Sequence, residues 1–375
     1  IYNRGAWNHA ENNHIINEAT LQNESGGVLN LGGSIDNTAT FNNTGTLSQI
    51  ANSTLNNSGT FTNQAGGELT LQANSALNTS GTFTNQDGGD LTLQGNSALN
   101  NTGTLTNNVG GVINNHGVFN SAKDDLTITN DGTFTNLHGG KLSLTNTIEN
   151  SSKRHIFLNT GSLINTNGAE ILLEGSTNTL ANQGTLINQT GGVINVKDVP
   201  NSTASAYNTL HNRSSGTVEN QYGASIIFAE RFTYLDNQGT FNNSGNISSI
   251  GSTYINNRGT LNNLATGRLV FDGSEFTGNG SLVNDGTVEV IGGNNSGMDV
   301  VQTIENRASL RLKSITLRGQ LNNQTDGSLL TQSSLDGPWS ARHLKVASGG
   351  IYNRGAWNHA ENNHIINEAT LQNES

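Results

Sequence analysis

Residues 59–80 read GTFTNQAGGELTLQANSALNTS, and residues 81–102 read GTFTNQDGGDLTLQGNSALNNT, a near-copy displaced by 22 residues. A third copy starts at Gly103 with GTLTNNVGG. Self-similarity at a period near 20 predicts stacked units, each too small to bury an apolar face alone. The unit is apolar–x–Asn–x–Gly/Ala–Thr/Ser–apolar–x–Asn. It recurs as Ile15-Asn17-Ala19-Leu21-Asn23, Leu180-Asn182-Gly184-Leu186-Asn188 and Ile255-Asn257-Gly259-Leu261-Asn263.

Within each unit, Thr-Phe-Thr and Leu-Thr-Leu alternate in the period of a strand. Gly, Asn and Thr are poor helix formers, and no apolar stripe recurs at three and four. The chain therefore reads as all-β. In residues 55–76, Leu55, Phe61 and the Leu69/Leu71 pair lie on three short strands separated by Asn- and Gly-rich corners. Three strands and three corners make a triangular coil of about 22 residues with side chains alternating in and out. Stacking the next coil puts Leu77 over Leu55, Phe83 over Phe61, and Leu91 and Leu93 over Leu69 and Leu71. The handedness of parallel crossovers predicts a right-handed parallel β-helix, a β-solenoid.

The predicted corners are Asn17, Asn37, Asn57, Gly59, Asn63, Gly81, Asn85, Asn101, Gly103 and Asn107. Later ones are Asn182, Gly184, Asn188, Asn237, Gly239, Asn257 and Gly259. Asn and Gly tolerate left-handed backbone, which a tight corner is expected to need. An Asn repeated once per coil also passes amide hydrogen bonds to its neighbour above, forming a ladder. At about 4.8 Å per coil, 350 residues would extend about 75–80 Å.

A longer period contains the short one. Residues 351–375, IYNRGAWNHAENNHIINEATLQNES, repeat residues 1–25 letter for letter. Residues 1–350 are thus expected to be one tile of a tandem array, and 351–375 the start of the next identical tile. Loops are expected to protrude at 196–209, 291–303 and 333–350. The last gathers Trp339, Arg342, His343 and Lys345 just before the repeat boundary, and Trp7 follows just after it. Exposed aromatic–basic groups of this kind often mark contacts, here between fibres or with a ligand; the alternative is a loop folded over the shaft to cover the junction between tiles. The basic residues Arg307, Arg311, Lys313 and Arg318 read either as a solvated strand face, the commoner case, or as partners for acids such as Glu11, Glu18 and Glu24 of a following tile.

Charged residues make up 12% of the chain and Asn roughly one residue in six, well away from ordinary composition. The net charge of −11 argues against nucleic-acid binding, which needs a basic face. No apolar run approaches a membrane span, and the absence of Cys excludes thiolate metal sites and disulfides.

The phrases LNNSGT (55–60), LNNTGT (99–104) and GTLTNNVGGVIN (103–114) resemble the passenger regions of large bacterial surface adhesins. The likeness is to filamentous-haemagglutinin-type exoproteins and autotransporter passengers, and it covers nearly the whole chain. It implies an exported parallel β-helix at the bacterial cell surface that builds a fibre or presents binding surfaces, and it transfers no catalytic residue. The expected partners are further copies of the tile; the alternative is a glycan or cell-surface ligand held by the loops.

Enzymes also use this fold, but glycosidic cleavage needs paired carboxylates on one face. Here the acids are scattered and drift between copies, as Glu68 does to Asp90. The segment His9-Ala10-Glu11-Asn12-Asn13-His14 lacks the helical spacing of a zinc site. No enzyme, cofactor or metal function is expected. The Thr60/Thr62, Thr82/Thr84 and Thr104/Thr106 pairs suggest an outward array, but a lattice-binding face would not give way to Asn42 and Asn242. Strand propensity explains the threonines better.

Overall fold

The computed structural model describes residues 1–121, 127–146, 155–175, 177–198, 207–229, 232–251, 253–291, 298–300, 302–313, 315–332, 344–359 and 365–374. They form two compact units, Ile1–Ile187 with Gly191–Val193, and Asn188–Thr190 with Ile194–Ser375. Each is a parallel β-solenoid, and among the described residues there is no helix. Position 351, where the repeat of residues 1–25 begins, falls inside the second unit.

In the first unit, strands Thr54–Asn57, Thr60–Asn63 and Glu68–Leu71 make three sides of a coil, and Ala76–Thr79 begins the next. Leu77 lies over Leu55, Phe83 over Phe61, and Leu91 and Leu93 over Leu69 and Leu71. Every one of these side chains is at most 1% exposed, so the alternation seen in sequence separates core from surface. Phe41 stacks on Phe61 at 4.6 Å between ring centroids, and Phe83 meets Phe61 edge-on at 5.2 Å. The coil length is not constant. Ladder Asn residues lie 20 apart from Asn3 to Asn63, then 22 apart to Asn107.

The left-handed Asn and Gly expected at the corners are present, but beside the residues named for it. Left-handed backbone is taken by Asn52, Asn74 and Asn96 at one turn, with φ of 65°, 60° and 62°. Gly66, Gly88 and Gly110 take it at another, with φ of 75°, 70° and 78°. The predicted corner residues Asn57, Gly59, Asn63 and Gly81 are not among the left-handed positions. Gly at 59 and 81 is required by closeness: a Cβ there would sit 2.2 Å from the Ala39 carbonyl oxygen and 2.1 Å from that of Gly59.

The predicted Asn sites end strands with their amides turned inward. Asn63 Nδ2 donates to Asn85 Oδ1 (2.8 Å), to the Asp90 carbonyl (3.0 Å) and to the Gly67 carbonyl (3.0 Å). The chain Asn3–Asn23–Asn43–Asn63–Asn85–Asn107–Asn130–Asn159–Asn182 continues this in one ladder. A second runs Asn17–Asn37–Asn57 and then meets Thr79. Buried amides cost free energy unless paired, and stacking like on like pairs them.

The second unit repeats the plan. Its longest ladder is Asn188–Asn220–Asn243–Asn263–Asn284–Asn306–Asn323–Asn353–Asn373, with amide bonds of 2.6–2.9 Å. Asn212–Asn237–Asn257 forms another, ending on Gln302. Gly239 and Gly259 keep the close approach, with the latter's Cβ position 2.1 Å from the Gly239 carbonyl.

Candidate functional site

Where residues 351–373 begin the second copy, the coil beneath them is visible in the same unit. Gly350–Asn353 pairs with Gln320–Asn323, placing Ile351 over Leu321. Ala356–His359 pairs with Ser328–Gln332, placing Trp357 over Leu329, and Ile365–Asn367 pairs with Leu344–Val346. All three sides therefore cross the boundary in register.

Side chains add to this backbone joint. Asn323 Nδ2 donates to Asn353 Oδ1 at 2.6 Å and to the Ala356 carbonyl at 3.1 Å. Trp357 Nε1 donates to Thr331 Oγ1 at 3.1 Å, and Thr331 Oγ1 lies 2.7 Å from His359 Nδ1. An indole N–H only donates, so Thr331 accepts from Trp357 and its own hydrogen is free for His359. Lys345 Nζ, one of the predicted contact residues, pairs with Glu368 at 3.0 Å on the outer rim.

Trp7, the first-copy counterpart of Trp357, is half-buried on Ala6–His9 over the strand Val28–Leu31. Trp339, Arg342 and His343 lie outside the described residues, as do 199–206, 292–297 and 333–343 within the predicted loops. The expected pairing of Arg307 with acids of a following tile is replaced by a local one, since it faces Asp285 at 3.6 Å. Glu24 likewise pairs with Arg4 of its own copy. His9 and His14 diverge: His9 is buried, while His14 Nε2 meets Asp36 at 2.8 Å on the surface. Among the described residues no three His, Cys, Asp or Glu side chains gather as a metal site. Among the described residues no helix is long and apolar enough to cross a membrane.

Sequence reasoning missed a second cluster. On an outer face of the second unit, Asp236 is only 6% exposed. Its carboxylate accepts from Arg258 (2.7 and 2.9 Å), Gln238 (3.0 Å) and Asn256 (3.1 Å), with His211 at 3.4 Å. Beside it Tyr207, Tyr234 and Tyr254 form a ring cluster, with centroids 5.4 Å apart for Tyr207 and Tyr254. Burial lowers the His211 pKa against the opposing pull of Asp236, and burial raises that of Tyr234. These residues come from three successive coils at outward positions that elsewhere carry Thr and Asn. The signal was the outward Tyr234–Tyr254 register, which leaves the Thr/Asn pattern.

No family model matches the chain, and no curated protein matches it. Among solved structures, it is similar to a hyper-glycosylated fragment of TibA, glycosylated by TibC. That likeness covers 97% of this chain and 100% of the other, at 13% identity and a TM-score of 0.40.

Proposed function

We propose that the chain is a structural repeat unit of an extracellular fibre, stalk or surface adhesin, lengthened by coil stacking that runs from one copy into the next. The observation that carries this reading is the Asn188–Asn373 ladder, which crosses the 350/351 boundary with amide bonds of 2.6 Å on it and on either side, although the coil that spans it is longer, with 30 residues between Asn323 and Asn353. The Asn323–Asn353 bond has the length and chemistry of the bonds on either side, so in this reading the tile boundary is mechanically one more coil contact. The resemblance of the LNNxGT phrases to haemagglutinin-type exoproteins and autotransporter passengers supports a place at the bacterial cell surface.

A non-catalytic role fits the charge layout. Glu24, Glu170, Asp285 and Glu289 each pair with a nearby Arg or Lys on an outer face. Electron microscopy of native material tests the reading: a filament with an axial repeat of about 75–80 Å supports it, and discrete particles without a repeat reject it.

The Asp236 cluster favours a second reading, in which this unit itself binds a glycan or cell-surface partner. Tyr207 directly precedes the strand Asn208–Asn212 and packs against Tyr254, and aromatic rings beside hydrogen-bonding side chains suit sugar faces. Glycan-array binding abolished in Y234A/Y254A would favour it; unchanged binding, or none in either protein, would remove it.

A further inference from the structure

Resting on the second reading above, we propose that the outer face carrying Tyr234, Tyr254 and Arg258 binds a short anionic glycan. A pyranose ring lies against the tyrosines, and its carboxylate or sulfate group sits at Arg213 and Arg258.

The face is a strip running along the strands. Tyr234 and Tyr254 share one outward column, Asp236 and Asn256 the next, and Gln238 and Arg258 lie at the corner beyond. At about 3.3 Å per residue, the four residues from Tyr254 to Arg258 span about 13 Å, room for about two linked sugar rings. The middle of the strip is closed. The Asp236 carboxylate is buried and already accepts from Arg258, Gln238 and Asn256. A carboxylate only accepts, so the Gln238 nitrogen 3.0 Å from it is the amide NH2. That same nitrogen donates to His211 Nε2 at 2.9 Å, which leaves the imidazole neutral with its proton on Nδ1.

The two ends are open and differ in character. Arg258 gives only Nη2 to Asp236; its Nε and Nη1 make no hydrogen bond among the described residues, and its side chain is 46% exposed. Arg213 makes no ion pair among the described residues. Burial lowers the His211 pKa against the pull of Asp236, and Arg213 and Arg258 add to the lowering, so both cations act on this one ring. At the other end Tyr207, Tyr234 and Tyr254 are half-buried, with ring centroids 5.4–6.4 Å apart. Burial raises the Tyr234 pKa and a hydrogen bond with Tyr207 raises that of Tyr254, so both remain neutral phenols. Glu275 is exposed and follows Tyr254 in the same column. It repels an anion from the aromatic end, while the guanidinium forks at the far end suit a carboxylate or sulfate. The ligand therefore has a direction: apolar ring face on tyrosine, charge on arginine. A peptide of acidic side chains would use the arginines alone.

Calorimetric titration of the full chain with sialyllactose, lactose sulfate and lactose tests this, since the three share a scaffold and differ in carrying a carboxylate, a sulfate or no charge. At least one charged sugar should bind about tenfold or more tightly than lactose, and the one that does names the anion. R213Q should weaken that sugar about threefold to tenfold more than it weakens lactose. D236N/R258Q removes the buried charge together with its partner, and should bring the charged sugar down to the level of lactose. Y234A/Y254A should lose all three. If D236N/R258Q fails to fold, R213Q and salt still decide: raising salt from about 0.05 to 0.5 M should weaken the charged sugar alone. Equal affinity for charged and neutral sugars, no binding of any of the three, or charged binding that survives Y234A/Y254A overturns the proposal. So does a polyglutamate peptide that binds in place of the sugars. Binding of lactose alone, lost in Y234A/Y254A, would keep the glycan reading above and remove only the anionic class.

Discussion

Residues 1–25 and 351–375 are the same sequence in two different settings. Two contacts made inside the segment recur in both. Arg4 pairs with Glu24 at 2.5 Å and Arg354 with Glu374 at 2.5 Å, while the Asn3–Asn23 and Asn353–Asn373 amide bonds measure 2.7 and 2.6 Å. Contacts made with a neighbouring coil are reversed. Ile1 is open and Ile351 closed, whereas Leu21 is 0% exposed and Leu371 37%. A coil is thus half a core, and the coil above or below supplies the other half. That is the energetic meaning of a solenoid, in which stability is a sum of nearest-neighbour terms.

The sharpest way to break this comparison is to truncate the same apolar residue in both copies. Ile351→Ala should cost about 2–5 kcal/mol, the usual range for a buried aliphatic, and Ile1→Ala less than about 0.5 kcal/mol. The order should invert for Leu21→Ala against Leu371→Ala. Urea unfolding followed by amide exchange at each end checks both pairs, and equal costs would contradict the nearest-neighbour account.

The ladder gives the next effect. Asn353→Ala removes a group bonded to Asn323, Asn373 and the Gly355 carbonyl, and should cost about 1–3 kcal/mol. Asn3→Ala should cost less, because Asn3 Oδ1 accepts only a long bond of 3.4 Å from the Gly5 N–H where Asn353 Oδ1 accepts at 2.6 Å from Asn323; the bonds to Asn23 and the Val28 carbonyl are lost as well.

A smaller change isolates the Trp–Thr–His contact. Thr331→Val keeps the shape but removes the hydroxyl, a loss of about 0.5–1.5 kcal/mol. Exchange of the 356–359 amides should quicken about threefold to tenfold, while the 6–9 amides stay unchanged.

The weakest expected effect is in pH. Burial lowers the pKa of His9 and His211 below their unfolded value of 6.5. The unfolded chain then binds more protons, so their contribution is complete above about pH 6.5 and falls away as pH drops through the folded values. Melting temperature should decline on acidification from pH 7.5 to 5.5, and the decline should shrink in H211Q. A rise on acidification would give the wrong sign.

The parts of the fold that repeat were readable. Two 22-residue copies aligned Leu55 with Leu77 and Phe61 with Phe83, and those became stacked columns because a column needs only like residues at a fixed spacing. The conformational reason for the corners was not readable. Asn-rich corners contain several Asn, and composition does not say that Asn52 and Asn74 carry positive φ while Asn57 points into the ladder. The 20-residue coils at the start were hidden because shorter turns leave the apolar pattern intact. At the candidate site, the 25-residue identity drew attention to the coil beneath residue 351, but Thr331 carries no sequence signal. Its role arises from register with His359. The Asp236 cluster was hidden for the opposite reason: its members lie on three coils and occur once.

The central claim is that buried Asn side chains one coil apart hold hands along each unit. Nuclear magnetic resonance on side-chain-amide-labelled protein tests it at atomic level. The account predicts through-space contacts from the Asn63 amide to Asn43 and Asn85, none to Asn107, and slow exchange of the Asn63 amide protons. Fast exchange at the rate of a free amide, or contacts only to sequence neighbours such as Gln64, would contradict it.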